Sequence, residues 1–125
     1  MSVVYDAGAL IAADRGERQI WADHEALMRR GFVPWTTAPV VAQVSRSPDQ
    51  ARLRRFLRSC HVAAFDPSEA HAVGALLGKT SAADVVDAHV VITAAARAAT
   101  VLTSDPRDLR RLSDRLPTPI PVERV

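Results

Sequence analysis

Short apolar runs alternate with helix-like stretches along this chain, and that alternation limits the folds open to it more than any other feature. Val3-Val4-Tyr5, Phe32-Val33-Pro34-Trp35-Thr36, His61-Val62-Ala63-Ala64-Phe65 and Val101-Leu102-Thr103 read as strands. β-Branched and aromatic residues favour extended backbone. Ile120-Pro121-Val122-Glu123 suits a last strand at a sheet edge. Helical patterns fill the intervals. Glu17 to Arg30 brings Ile20, Trp21, His24, Leu27 and Met28 onto one face. Shorter helices are expected at Ala9 to Ala13, Pro39 to Arg46 and Asp49 to Arg58, the last with Leu53, Phe56 and Leu57 inward. Asp66-Pro67-Ser68-Glu69 starts a helix running to Leu77. Ser81-Ala82-Ala83-Asp84 has the capping-box spacing and starts another, to Ala98. Ser104-Asp105-Pro106 opens the last. Gly31 and Gly78 stand where helices would stop. Strands alternating with helices predict an α/β protein whose central sheet, of four to five strands, is mostly parallel with helices on both sides. The crossovers should be right-handed. No repeat or low-complexity linker divides the chain, so residues 1–125 read as a single domain.

Composition excludes several classes. A hydrophobic fraction of 48% with 24% charged residues supports a full core and argues against disorder. The net charge of +2 permits an anionic partner without requiring one. One cysteine, Cys60, excludes an intrachain disulfide and a cysteine-based zinc site. His24, His61, His71 and His89 show no metal-ligand spacing. There is no glycine-rich phosphate loop with Lys and Ser or Thr, which disfavours a P-loop nucleotidase. Neither a signal peptide nor a membrane-length apolar run is present, so a cytoplasmic protein with no membrane partner is expected.

The acids carry the chemistry. Asp6 ends the first strand and Asp105 follows the fourth. Open α/β sheets bind ligands at the carboxyl ends of their strands. Gly8 lets the chain turn there towards a helix. Asp84 and Asp87 stand three apart at the start of a helix, where negative charge is favourable. If the first and fourth strands are neighbours, Asp6 and Asp105 share an edge, and that helix can bring Asp87 and Asp84 to them. Carboxylates held so close raise one another's pKa values. A hard divalent cation relieves the conflict and can serve phosphodiester cleavage. Each acid also has a structural reading. Asp84 closes a capping box, Asp105 caps the helix begun by Pro106, and Asp87 is a solvated helix residue.

Taken together, Asp6-Ala7-Gly8-Ala9-Leu10, Asp84-Val85-Val86-Asp87-Ala88-His89 and Leu102-Thr103-Ser104-Asp105-Pro106 resemble the PIN-domain ribonuclease toxins of the VapC type. The resemblance extends over nearly the whole chain in the order of its elements. It implies a PIN-like three-layer α/β/α sandwich. It also implies a Mg²⁺-dependent endoribonuclease, with Mn²⁺ as a substitute, acting on tRNA or rRNA as the toxin of a type II pair. A VapB-type antitoxin, a homodimer and a toxin–antitoxin heteromer are expected on the same ground. By correspondence Asp6, Asp87 and Asp105 hold the metal, and Asp84 is an additional catalytic candidate. Thr103 and Ser104 match hydroxyl positions that place substrate or water, and both can equally cap the following helix. Many members carry a glutamate where this chain has Gln43. Glutamine can contact a phosphate oxygen but brings no charge and cannot act as a base.

Arg46, Arg52, Arg54, Arg55 and Arg58 form the densest basic region. Arginine's planar fork suits phosphate. Arg52 and Arg55 are thus candidates for RNA contact, with an acidic antitoxin segment or a plain solvated face as the other readings. Trp21 and Trp35 are expected as core or interface anchors, His89 as a packing residue, and Cys60 beside a strand start. Two rival functions remain: a PIN-fold protein that docks an antitoxin with little cleavage, and a metal-dependent hydrolase of DNA or small phosphate esters.

Overall fold

The computed structural model describes residues 2–81 and 84–125. Strands and helices alternate as β1 (Val3–Tyr5), α1 (Ala7–Asp14), α2 (Arg18–Arg29), β2 (Trp35–Thr37), α3 (Ala38–Val44) and α4 (Ala51–Arg58). They continue as β3 (His61–Ala63), α5 (Pro67–Leu77), α6 (Val85–Ala96), β4 (Thr100–Thr103), α7 (Pro106–Ser113) and β5 (Val122–Arg124). The five strands form one sheet in the order β3-β2-β1-β4-β5, and every pairing is parallel. β1 is central, which suits its unbroken apolar run: Val3, Val4 and Tyr5 are all buried. On one side α1 packs against β1 and β4 and gathers α2, α3 and α4 around it. On the other, α6 lies across β1, β2 and β4 between α5 and α7. The result is a three-layer α/β/α arrangement.

Its core draws on every layer. Tyr5, Leu10, Leu53, Phe56, Leu109 and Leu112 are among the largest fully buried side chains. Burying such a side chain stabilises by about 1.5–3 kcal/mol. Trp21 and Trp35 are partly buried and pack on this core, as does Cys60 just ahead of β3. Among the described residues no helix is long and apolar enough to cross a membrane.

Several boundaries differ from the sequence expectation, each for a local reason. β2 starts at Trp35 rather than Phe32. Gly31 takes a left-handed φ of 83° and donates to the Met28 carbonyl, while the Phe32 N–H donates to that of Leu27. These two bonds close the end of α2, so Phe32 belongs to the turn. Met28, at helical spacing with the buried Ile20 and His24, is exposed. Gly78 does cap α5, but in the right-handed region. α6 is capped by Asp84, not Ser81, and begins at Val85. The intervening Ala82 and Ala83 of the expected capping box lie outside the described residues. α6 also stops two residues early, at Ala96, with Ala98 forced to a left-handed φ of 49°. The Asp66 cap forms as expected, its carboxylate accepting the Glu69 N–H at 2.9 Å.

Candidate functional site

The pairing of β1 with β4 brings the acid edge together. Tyr5 is in register with Leu102, so Asp6 and Thr103 follow side by side. The Asp6 N–H extends the ladder to the Leu102 carbonyl at 2.9 Å. The Thr103 hydroxyl donates to Asp6 Oδ2 at 2.8 Å and accepts the Asp105 N–H at 3.1 Å. An ionised carboxylate only accepts, so these directions are fixed. Thr103 is fully buried and Asp6 is 9% exposed. One hydroxyl therefore orients the carboxylate of Asp6 and the backbone of Asp105 together. Thr103 Oγ1 is thus buried and bonded to the protein on both counts, to Asp6 and to the Asp105 backbone.

Gly8 fits this edge by its size. A Cβ there would lie 2.4 Å from Ser104 Oγ, 2.6 Å from its Cβ and 2.9 Å from its backbone N. The start of α1 and the end of β4 thus approach too closely for any side chain. This is a different cause from the turn expected of Gly8, because its backbone is not in the left-handed region. Ser104 is exposed, and its carbonyl accepts from Arg124 Nη1 at 2.9 Å. Asp105 occupies the cap position of α7 but makes no side-chain cap bond, so the capping role is not realised and its carboxylate stays available.

Asp87 completes the group from α6. Asp84 Oδ1 accepts the Asp87 N–H at 3.0 Å, so Asp84 does serve as a cap. The Asp87 carboxyl is pushed up from 3.8 to about 7, by burial first and then by the carboxylates of Asp84, Asp6, Asp108 and Asp105. Acids at the end of β1 and at the starts of α6 and α7 therefore bear on Asp87 together. All their donors are carboxylate oxygens, the kind a hard cation takes. Among the described residues, no three acids, histidines or cysteines are gathered tightly enough to enclose a metal ion. The donor set fits Mg²⁺ or Mn²⁺ in kind, in an open arrangement.

Beside it runs a cleft of about 770 Å³ between the start of α6 and α7, lined by Thr80, Ser81, Asp84, Asp87, Asp108, Arg111, Leu112, Asp114 and Arg115. Asp108, Arg111 and Arg115 were not singled out from sequence. Their 3- and 4-residue spacing is the signal that shows them on one side of α7 and its exit.

The remaining candidates stand elsewhere. Gln43 is exposed on α3, a helix begun by Thr37, whose hydroxyl accepts the Val40 N–H at 3.2 Å. α3 packs against α1 and α6, and Gln43 makes no hydrogen bond among the described residues. Arg52 and Arg55 do not line the acid cleft. Arg52 Nη1 lies 3.5 Å from the Asp14 carbonyl, and the Arg55 guanidinium sits 4.8 Å over the Trp21 ring. Both border a separate hollow between α2 and α4 that also touches Trp21, His24 and Met28.

Two histidines are buried. His24 Nδ1 bonds the Tyr5 hydroxyl at 2.9 Å and its Nε2 bonds Ser59 Oγ at 2.7 Å. Ser59 Oγ in turn donates to the Phe56 carbonyl at 2.8 Å. With that hydrogen used, Ser59 accepts from Nε2–H, and Tyr5 donates to Nδ1. Burial lowers the His24 pKa, which favours the neutral ring in this chain of bonds. His89 is fully buried edge-on to Phe65, with ring centroids 4.8 Å apart, and burial lowers its pKa also. Packing, as expected, accounts for its position.

No protein-family model matches the sequence, and no curated protein matches it. Solved structures do. A chain of the VapBC2 complex of Rickettsia felis bound to a DNA fragment from its promoter superposes with a TM-score of 0.75 at 19% identity, covering 100% of this chain and 99% of that one. A chain of FitAB bound to an IR36 DNA fragment superposes with a TM-score of 0.67 at 16% identity, covering 98% and 94%. At these identities the likeness is one of fold, and it extends from end to end: the chain has a PIN-like α/β/α fold with a five-stranded parallel sheet.

Proposed function

We propose that this chain is a metal-dependent endoribonuclease, the toxin of a type II toxin–antitoxin pair. The observation that carries the reading is the convergence of Asp6, Asp105 and Asp87, from β1, β4 and α6, at the carboxyl edge of the sheet. Asp6, Asp87 and Asp105 would hold Mg²⁺ or Mn²⁺. When bound there, the ion supplies an activated water and offsets charge at an RNA phosphodiester. The protein's own part is positional. Thr103 holds the Asp6 carboxylate and the Asp105 backbone in one geometry. Asp84 ties down the first turn of α6 and adds negative charge beside Asp87. Ser104, exposed as a residue, sets its hydroxyl against Gly8 at the start of α1.

Two solved complexes that share the fold support the toxin–antitoxin part, since both are toxin–antitoxin assemblies. A VapB-type antitoxin, a homodimer and a toxin–antitoxin heteromer are proposed on that basis, with tRNA or rRNA as substrate from the motif resemblance. A second reading has its own support. Gln43 replaces an expected acid, and among the described residues no three carboxylates close around one point. Those facts favour a protein that docks its antitoxin and cleaves weakly.

The test is digestion of a mixed tRNA and rRNA pool with Mg²⁺, with chelator, and with single-stranded DNA and nucleotides as competing substrates. Discrete RNA cuts that stop with chelator are expected. Turnover of DNA or nucleotides with RNA intact would move the assignment to another phosphohydrolase. With RNA also intact in a Gln43→Glu protein, the docking reading would replace it.

A further inference from the structure

The cleft beside the acids carries a second kind of residue whose role the proposed reaction does not explain. Arg111 and Arg115 face it from α7 and the turn that follows, opposite Asp84 and Asp87. Neither guanidinium makes a hydrogen bond, ion pair or ring contact among the described residues. Many of the chain's other arginines are occupied. Arg52 bonds a carbonyl, Arg110 bonds the Val122 carbonyl, Arg124 bonds that of Ser104, and Arg97 stacks 3.6 Å over Trp35. Asp108 and Asp114 lie in the same wall, yet neither stands within ion-pair distance of Arg111 or Arg115. Arg111 and Arg115 are exposed and stand without a protein partner among the described residues, in a wall otherwise dominated by carboxylates, so both forks are free to take an anion.

We infer that Arg111 and Arg115 form a phosphate-binding subsite that seats the RNA backbone next to the phosphodiester presented to the acids. This rests on the nuclease reading and adds the track along which its substrate enters. The acid cluster repels a polyanion. A planar, always-charged fork offering two parallel donors offsets that repulsion and fixes a non-bridging phosphate pair. The cleft volume of about 770 Å³ leaves room for more than one nucleotide unit.

The test is binding and cleavage of a labelled 12-nucleotide single-stranded RNA by wild type and by Arg111→Gln/Arg115→Gln. Arg107→Gln, exposed on the same helix and outside the cleft wall, is the matched control. Binding is read by fluorescence anisotropy in an Asp6→Asn background, which keeps the cleft. Loss of two phosphate contacts should weaken binding about tenfold or more and lower the salt slope of log K by about 1.4. KM should rise with kcat within about twofold, while Mn²⁺ affinity and the Arg107→Gln protein stay as wild type. Arg111→Lys/Arg115→Lys should recover much of the binding. Wild-type cleavage with unchanged affinity and salt slope in the Gln pair would overturn the subsite and leave the nuclease standing. No cleavage by wild type, with binding still set by the pair, would overturn the nuclease reading and keep the subsite. RNA bound by neither protein would overturn both.

Discussion

Thr103 is the residue on which the acid edge turns. It is fully buried, and its single hydroxyl both donates to Asp6 and accepts from the Asp105 backbone. Thr103→Val keeps the shape and strands both partners, which should cost about 1–3 kcal/mol in urea unfolding. Thr103→Ser, which keeps the hydroxyl, should lose less. Gly8→Ala is predicted to destabilise by about 1–3 kcal/mol through overpacking against Ser104. Ser104→Gly should recover part of that loss, since it removes the two nearest atoms and leaves only the backbone N. At Asp87 the pH dependence has a definite sign. Its folded pKa of about 7 lies above the unfolded value. The metal-free folded state therefore binds more protons between roughly pH 4 and 7, and this residue's contribution falls as pH rises through that window. Asp87→Asn should raise Tm at pH 8 and change it little at pH 4.

Helix ends and buried chains of hydrogen bonds set the behaviour of the elements. α6 closes with Ala98 in the left-handed region, where the Ala98 N–H donates to Ala95 and the Ala99 N–H to Ala94. Glycine suits that position, so Ala98→Gly should stabilise by about 0.5–1 kcal/mol in thermal or urea unfolding. The junction of β1, α2 and α4 is held by Tyr5, His24 and Ser59. His24 is kept neutral by burial, with a folded pKa below the unfolded value of about 6.5. Its contribution is present above that pH and is lost as pH falls below it. His24 and Asp87 therefore pull the acid side of the stability profile in opposite directions, and His89, also lowered by burial, adds to the His24 side. In Asp87→Asn the acid-side loss of stability should stand out more steeply than in wild type.

At the scale of the whole molecule, the order of elements was legible because strand and helix periods differ and each interval is long enough to show one. The placement of Asp6, Asp87 and Asp105 was legible because each stands at an element end. What the sequence could not show was set by tertiary contact. Asp108, Arg111 and Arg115 become cleft residues only because α7 packs beside α6, and sequence drew attention to the apolar Leu109 and Leu112 instead. Thr103 and Ser104 look alike in sequence, yet one is fully buried and the other exposed, a difference set by the alternation of faces at the end of β4. Arg52 and Arg55 drew attention by density, and the fold turns them towards Asp14 and Trp21. The proposed function stands on the acids of β1, β4 and α6 forming a single cation site. Mn²⁺ titration followed by electron paramagnetic resonance, on wild type, Asp6→Asn and Asp87→Asn at pH 8, tests it most directly. Saturable binding by wild type that weakens at least tenfold in both variants is the predicted result. Binding that persists unchanged in both, or none in wild type with the fold intact, would contradict it.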